Sequence, residues 1–164
     1  MQRLLLNLFA GWWRMPRTFN AALLDDMTAA IAAGERGHLG ELRFAVESRL
    51  GITAVLEGVD ATARAQQVFA QLRVWDTELN SGVLIYLLLA EQRIEIVVDR
   101  GVMQLVPQAQ WDAVRDTMRE CYARGQWREG TLQGIAAAHA LLHASFPAGD
   151  SGNVDELPDR PVLL

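Results

Sequence analysis

Val74–Gly101 reads VWDTELNSGVLIYLLLAEQRIEIVVDRG, and the alternation of polar and apolar stretches within it decides the fold. A polar loop, Asp76 to Gly82, feeds the unbroken apolar run Val83 to Ala90, and a short turn leads into the alternating stretch Arg93 to Asp99. An apolar run of that length between turn residues reads as a strand buried on both faces. The turn is short enough for a hairpin, so Arg93 to Asp99, with Ile94, Ile96 and Val98 inward, is expected to run antiparallel beside it. Burying about six side chains of the central run contributes roughly 1.5–3 kcal/mol each before the entropy of ordering them is subtracted, more than any other segment offers.

Upstream, Gly40 opens GELRFAVE, in which Leu42, Phe44 and Val46 alternate with Glu41, Arg43, Ala45 and Glu47. That period predicts a first strand exposed or partly covered on one side. Before it, Asn20 is placed to cap a helix from about Ala21 to Ala33, with Leu23, Leu24, Met27 and Ile31 on one stripe. After it, Asp60 caps a second helix carrying Ala65, Val68, Phe69 and Leu72. Strand, crossover helix and buried strand in sequence imply a parallel pair, so the sheet is mixed.

Downstream of Gly101 the sequence predicts a loop to Pro107, then a helix with Trp111, Val114, Met118, Cys121 and Tyr122 on its apolar side. Another helix starts near Trp127, where Gly130, Gly134 and Ala138 form a strip for close approach and Pro147 ends the run. The expected class is α/β, a three-layer helix-sheet-helix sandwich with a small mixed β-sheet. Its division is an N-terminal apolar and basic segment, 1–18, a domain, 19–146, and an irregular tail, 147–164.

Fifteen basic against twenty acidic residues leave a net charge of −5, which disfavours a nucleic-acid partner because phosphate neutralisation needs a basic surface. The single cysteine, Cys121, excludes an intramolecular disulfide and fits a reducing, cytoplasmic setting. Arg3 precedes the apolar run Leu4 to Trp13, broken by Asn7 and too short to span a bilayer. No small-residue cleavage site follows it. Two readings stay open: a helix packed on its own domain, or a peripheral membrane contact through residues 1–17 with Trp12 and Trp13 at the interface.

Asp76, Glu78 and Asn80 alternate as oxygen donors, as in the early part of a calcium loop. Glycine falls at the seventh position rather than the sixth, and Leu87 stands where a bidentate glutamate is needed, so an EF-hand is excluded. A looser site for a hard cation, calcium or magnesium, remains beside the plainer reading of a solvated loop. Asp99 ends the third strand, and an antiparallel hairpin brings that end beside the loop, so its carboxylate is expected to join the set unless Arg100 neutralises it. His139 and His143 have the spacing of a metal pair, but Ala-Leu-Leu lies between them, which excludes a zincin and favours a core-edge histidine bonded to backbone. Cys121 reads as a small core residue.

These residues resemble the TPM-domain family, which includes plant thylakoid-lumen phosphatase-like proteins and many bacterial ones. The likeness runs from about Phe19 to Phe146 and rests on Gly40–Glu47, Asn80–Ile85 with its Asn and Gly before the central strand, Arg93–Ile96, Asp99–Gly101 and Trp127–Gly134. The resemblance implies the same sandwich, divalent-cation binding in some members and weak phosphatase activity in the plant type. It is to a short bacterial subtype without signal peptide or C-terminal membrane span, ending in an ELPDRPVLL-like tail. Val106-Pro107 stand where the family carries an aspartate. The expected function is therefore a non-catalytic domain that binds a divalent cation weakly, through Asp76, Glu78, Asn80 and Asp99, and acts through protein or membrane-surface contacts. The alternative is a metal-dependent phosphatase of low activity, with Asp76 and Asp99 on a cation and Arg43 or Arg100 on phosphate. No organic cofactor is expected.

Overall fold

The strand β2 (Gly82–Leu88) is buried along its whole length and sits inside a four-stranded sheet of order β3-β2-β1-β4. The computed structural model describes Arg3, Asn7, residues 15–148 and residues 156–164, and the short helix α1 (Met15–Thr18) leads into the domain. β1 (Glu41–Glu47) pairs parallel with β2, with Glu41 opposite Gly82 and Glu47 opposite Leu88. β3 (Arg93–Val98) pairs antiparallel, with Val83 opposite Val98. Both pairings are those the hairpin and crossover signals require.

Because side chains alternate across a strand, β2 feeds two cores. Val83, Ile85 and Leu87 join Leu42, Phe44 and Val46 of β1 on one face. That face is covered by α2 (Ala21–Glu35), α6 (Gln108–Ala123) and α7 (Trp127–Ser145), through residues such as Met27, Ile31, Trp111, Met118 and Leu142. Leu84, Tyr86 and Leu88 meet Val55, Ala65 and Val68 on the other. These come from α3 (Ile52–Leu56) and α4 (Ala61–Gln71). The chain is the expected helix-sheet-helix sandwich. Asn20 caps α2 by accepting from the Leu23 N–H at 3.0 Å, and Asp60 caps α4 by accepting from Ala63 at 2.8 Å. The small-residue strip of α7 lets it close on α6: a methyl group at Gly130 would meet the Cys121 side chain, and one at Gly134 would fall on Met118.

Three segments differ from the sequence expectation. The stretch after β3 is a helix, Arg100–Leu105, rather than a loop, because the Asp99 carboxylate caps it and Val102 buries against the core. The tail is not irregular to its end. Val162–Leu163 forms β4, parallel to β1, because the outer edge of β1 would otherwise leave backbone groups unpaired. The polar face of β1 is not exposed: all seven residues are buried, since α4 and the tail cover Glu41, Arg43 and Glu47.

Apart from Asn7, the run Leu4 to Trp13 lies outside the described residues. Asn7 itself is buried. Its Nδ2 donates to Glu91 Oε1 at 2.9 Å and its Oδ1 accepts from Leu50 N at 2.8 Å, while Arg3 pairs with Glu91 at 2.9 Å. Among the described residues no helix is long and apolar enough to cross a membrane.

Two stability predictions follow from these contacts. A methyl group at Gly82 would fall on the Val74 carbonyl oxygen, whereas one at Gly51 meets nothing nearer than 3.9 Å. Gly82→Ala is expected to cost about 2–4 kcal/mol in urea unfolding, and Gly51→Ala to stay within about 0.5 kcal/mol. Asn7→Ala strands the Leu50 N–H and leaves Glu91 to Arg3 alone, and should cost about 1–3 kcal/mol. An unchanged melting temperature in Asn7→Ala would show that the N-terminal segment does not brace the domain.

Candidate functional site

The candidate site lies where β2 begins and β3 ends. Backbone bonds join the two segments: Asp99 N–H donates to Gly82 O at 2.9 Å, and Gly101 N–H donates to Asn80 O at 3.1 Å. A side chain at position 101 would press on the Leu79 and Asn80 carbonyl oxygens, at 2.5 and 2.6 Å, so glycine is what lets α5 (Arg100–Leu105) start against the loop. Asn80 adopts φ +52°, a left-handed conformation that asparagine tolerates better than most residues.

Three of the expected residues come together here. Asp99 Oδ1 accepts from the Arg100 N–H at 2.7 Å, and its Oδ2 is buried with no hydrogen-bond partner. Arg100 Nε donates to Asn80 Oδ1 at 3.1 Å. Asp76 and Glu78 are instead exposed on the outside of the loop. Asp76 sits 4.0 Å from the Arg73 guanidinium, an exposed pair of little energetic weight. Among the described residues no group of three or more His, Cys, Asp or Glu side chains is placed to hold a metal ion. A residue missed in the sequence also reaches the loop: both oxygens of Glu156, on the tail, accept from the Glu78 N–H at 3.1 and 3.3 Å. Nothing local in the sequence marks it, because its partner is seventy-eight residues away. Trp75, Leu79, Met103 and Leu105, on the same two segments, are 43–65 % exposed.

The two arginines assigned to phosphate are engaged separately. Arg43 is buried on β1 and donates to the Arg160 carbonyl at 3.4 Å, while Arg100 is tied to Asn80.

A second polar cluster is buried where α2, α7 and the start of β1 meet. His38 is fully buried, and its Nδ1 accepts from the Gly40 N–H at 3.1 Å. Its Nε2 is therefore the protonated nitrogen and donates to His139 Nδ1 at 2.8 Å. His139 is thus a core-edge histidine bonded to another ring rather than to backbone, with Nε2 buried and unpartnered. Gly34 packs on its ring with no room for a side chain. Burial holds both imidazoles below their ordinary value, His139 at about 4, with His38 adding to the depression. Nearby Glu35 accepts from the Leu42 N–H at 2.8 Å. Burial first, then Glu41 and Asp159, push its carboxyl up to about 9 against the opposing Leu42 bond, so at neutral pH it is protonated and donates to Asp159. On the opposite face Glu47 takes a bidentate pair from Arg64, at 2.8 and 3.1 Å, and the Tyr86 hydroxyl at 2.6 Å. That engagement and burial raise the Tyr86 phenol well above its usual range.

Compared with known proteins, the chain matches the family model described as TPM domain over residues 16–141. No curated protein matches it significantly. Among solved structures, it is similar to the BA42 protein from the psychrophilic bacterium Bizionia argentinensis, with a TM-score of 0.78 and 28% identity over 88% of this chain and 94% of that one. The N-terminal domain of a protein from P. gingivalis shares the fold, with a TM-score of 0.62 and 20% identity over 77% of this chain and 78% of that one.

The buried cluster predicts two opposed pH limbs. The unfolded chain takes up protons on histidine near pH 6.5 and the folded one holds His139 neutral to about 4, so stability falls as pH drops through that window. Glu35 acts in the other direction: its contribution is complete below about 4.5 and is lost as pH rises towards about 9. Urea unfolding of Glu35→Gln, which keeps a neutral donor and acceptor, is expected to show a flattened alkaline limb and an unchanged acid limb. An alkaline limb identical to the parent's would mean that Glu35 is ionised in the folded protein.

Proposed function

This chain belongs to the TPM-domain family, and on that premise we propose that it is a non-catalytic member that binds calcium or magnesium weakly where Asn80 meets Asp99 and acts by contacting a protein partner. The buried, donor-free Oδ2 of Asp99 supports the cation part. A carboxylate oxygen of that kind is chemistry for a hard cation, and the Asn80 amide oxygen, reached by the next residue Arg100, belongs to the same junction. Arg100 supports weakness, since its guanidinium already serves Asn80 and competes with any ion for that oxygen. Asp76, Glu78 and Glu156 would add electrostatic attraction at longer range rather than inner ligands.

The observation that carries the contact part is the exposed apolar rim of Trp75, Leu79, Met103 and Leu105 on the segments holding the site. Five carboxylates, of Asp76, Glu78, Asp99, Glu156 and Asp159, stand against the guanidiniums of Arg73, Arg100 and Arg160 in these segments and in residues 156–164 of the tail. That acidic excess favours a basic, apolar protein surface over an anionic bilayer. The phosphatase alternative asks Asp76 and Asp99 to share a cation and Arg43 or Arg100 to hold the phosphate; the exposed Asp76 beside Arg73, the buried Arg43 and the Arg100–Asn80 bond count against it. The lone Cys121 goes with a reducing, cytoplasmic setting.

Calorimetric titration with calcium should show binding in the millimolar range, abolished or weakened at least ~10-fold in Asp99→Asn, a loss of about 1.4 kcal/mol or more. Absence of heat at millimolar ion, or an unchanged titration in Asp99→Asn, rejects the cation site. Turnover of generic phosphomonoesters is expected at the level of a blank; activity that disappears in Asp76→Asn would restore the phosphatase reading.

A further inference from the structure

At the far end of the β2–β3 hairpin, about 20 Å from the cation loop by strand length, a cleft of about 350 Å³ opens between the start of β3 and α6. Arg93 and Glu95 line it from the strand, and Arg115 and Arg119 from the helix, so three guanidiniums face one carboxylate. It is continuous, through Gln92, Ile94 and Arg119, with a smaller and mostly apolar recess of about 160 Å³ walled by Tyr122 and Trp127. The wall is fixed in place. The two rings stack at 4.5 Å between centroids, and the Tyr122 hydroxyl is bonded to the buried Thr131 at 2.7 Å. Gln92, at the lip, is held at φ +52°, a conformation that costs energy for a residue other than glycine and places its side chain at the junction of the two spaces.

We propose that this cleft binds a small aromatic phosphate, with the ring against Tyr122 and Trp127 and the phosphate among the three guanidiniums. Three arginines on one opening in a chain of net charge −5 select an anion. A dianion with three equivalent oxygens uses three forks, whereas a carboxylate uses one. The arginines have internal partners: Arg93 pairs with Glu95 at 3.0 Å, Arg115 with Asp112 at 3.1 Å, and Asp116 is shared between Arg115 and Arg119 at 3.6 and 3.4 Å. The Asp112 and Asp116 pairs are exposed and weak, Glu95 is the more enclosed partner, and each guanidinium has five N–H groups, so the pairs aim the side chains without exhausting their donors. The distance from Asp99 makes this a binding site and not part of any chemistry at the cation loop.

The test is calorimetry of the full chain at low ionic strength with phenyl phosphate, inorganic phosphate and phenol, in EDTA and again in calcium. Phenyl phosphate should bind at least ~10-fold more tightly than either fragment, equally with and without calcium, and Arg115→Gln and Arg119→Gln should each weaken it ~10-fold while melting as the parent does. Arg119 is exposed and Arg115 partly so, and the melting temperature of each variant separates a loss of binding from a loss of fold. The proposal is overturned by absence of binding, by equal affinity for inorganic phosphate, by full affinity in the Arg115→Gln/Arg119→Gln double variant, or by a requirement for calcium.

Discussion

The fold depends on keeping β2 dry on both faces. Every residue from Gly82 to Ala90 is buried, and a strand with large apolar groups on each side needs a layer of helices above and below it. β1 and β3 pair its edges, while α2, α6 and α7 cover one face and α3 and α4 the other. The hairpin follows from the same constraint and carries the site with it, since running β3 back along β2 returns Asp99 to the loop that β2 left.

The sheet is finished by polar groups as much as by apolar ones. Glu41 accepts from the Leu157 N–H at 3.2 Å, Arg43 donates to the tail, and Glu47 holds Arg64 and Tyr86. Burying such groups costs several kcal/mol each unless they are paired. Pairing on this scale therefore specifies where the tail and α4 lie, instead of merely tolerating them. The protonated Glu35 beside Asp159 belongs to the same system: a neutral carboxyl can donate where a carboxylate could only repel. The tail that these groups hold also brings Glu156 to the loop that precedes β2.

At the candidate site the guanidinium of Arg100 occupies the Asn80 amide oxygen, and Asp99 is divided between capping a helix and holding one buried oxygen without a hydrogen-bond partner. A carboxylate that stabilises α5 contributes less to an ion. This division is the physical reason for expecting weak cation binding at a place the family resemblance would furnish more fully.

The sequence by itself determined the three long strands, the four long helices, their order and the sense of the main pairings, because periodicity, caps and turn residues are local signals; the short helices Ile52–Leu56 and Arg100–Leu105 escaped it. It also determined that Asn80, Asp99 and Arg100 would meet, since a hairpin leaves no other arrangement. Tertiary structure alone decided what long-range partners control. Asp76 and Glu78 alternate in sequence as ligands do, but a loop that turns at Asn80 points them outward. Glu41, Arg43 and Glu47 have the period of a wet face, but distant partners bury them. His38 carried no local signal, and its bond to His139 spans 101 positions. The three apolar residues ending the tail became an edge strand only because β1 had an open edge to complete, and no pattern within nine residues can express the need of a strand more than a hundred positions away.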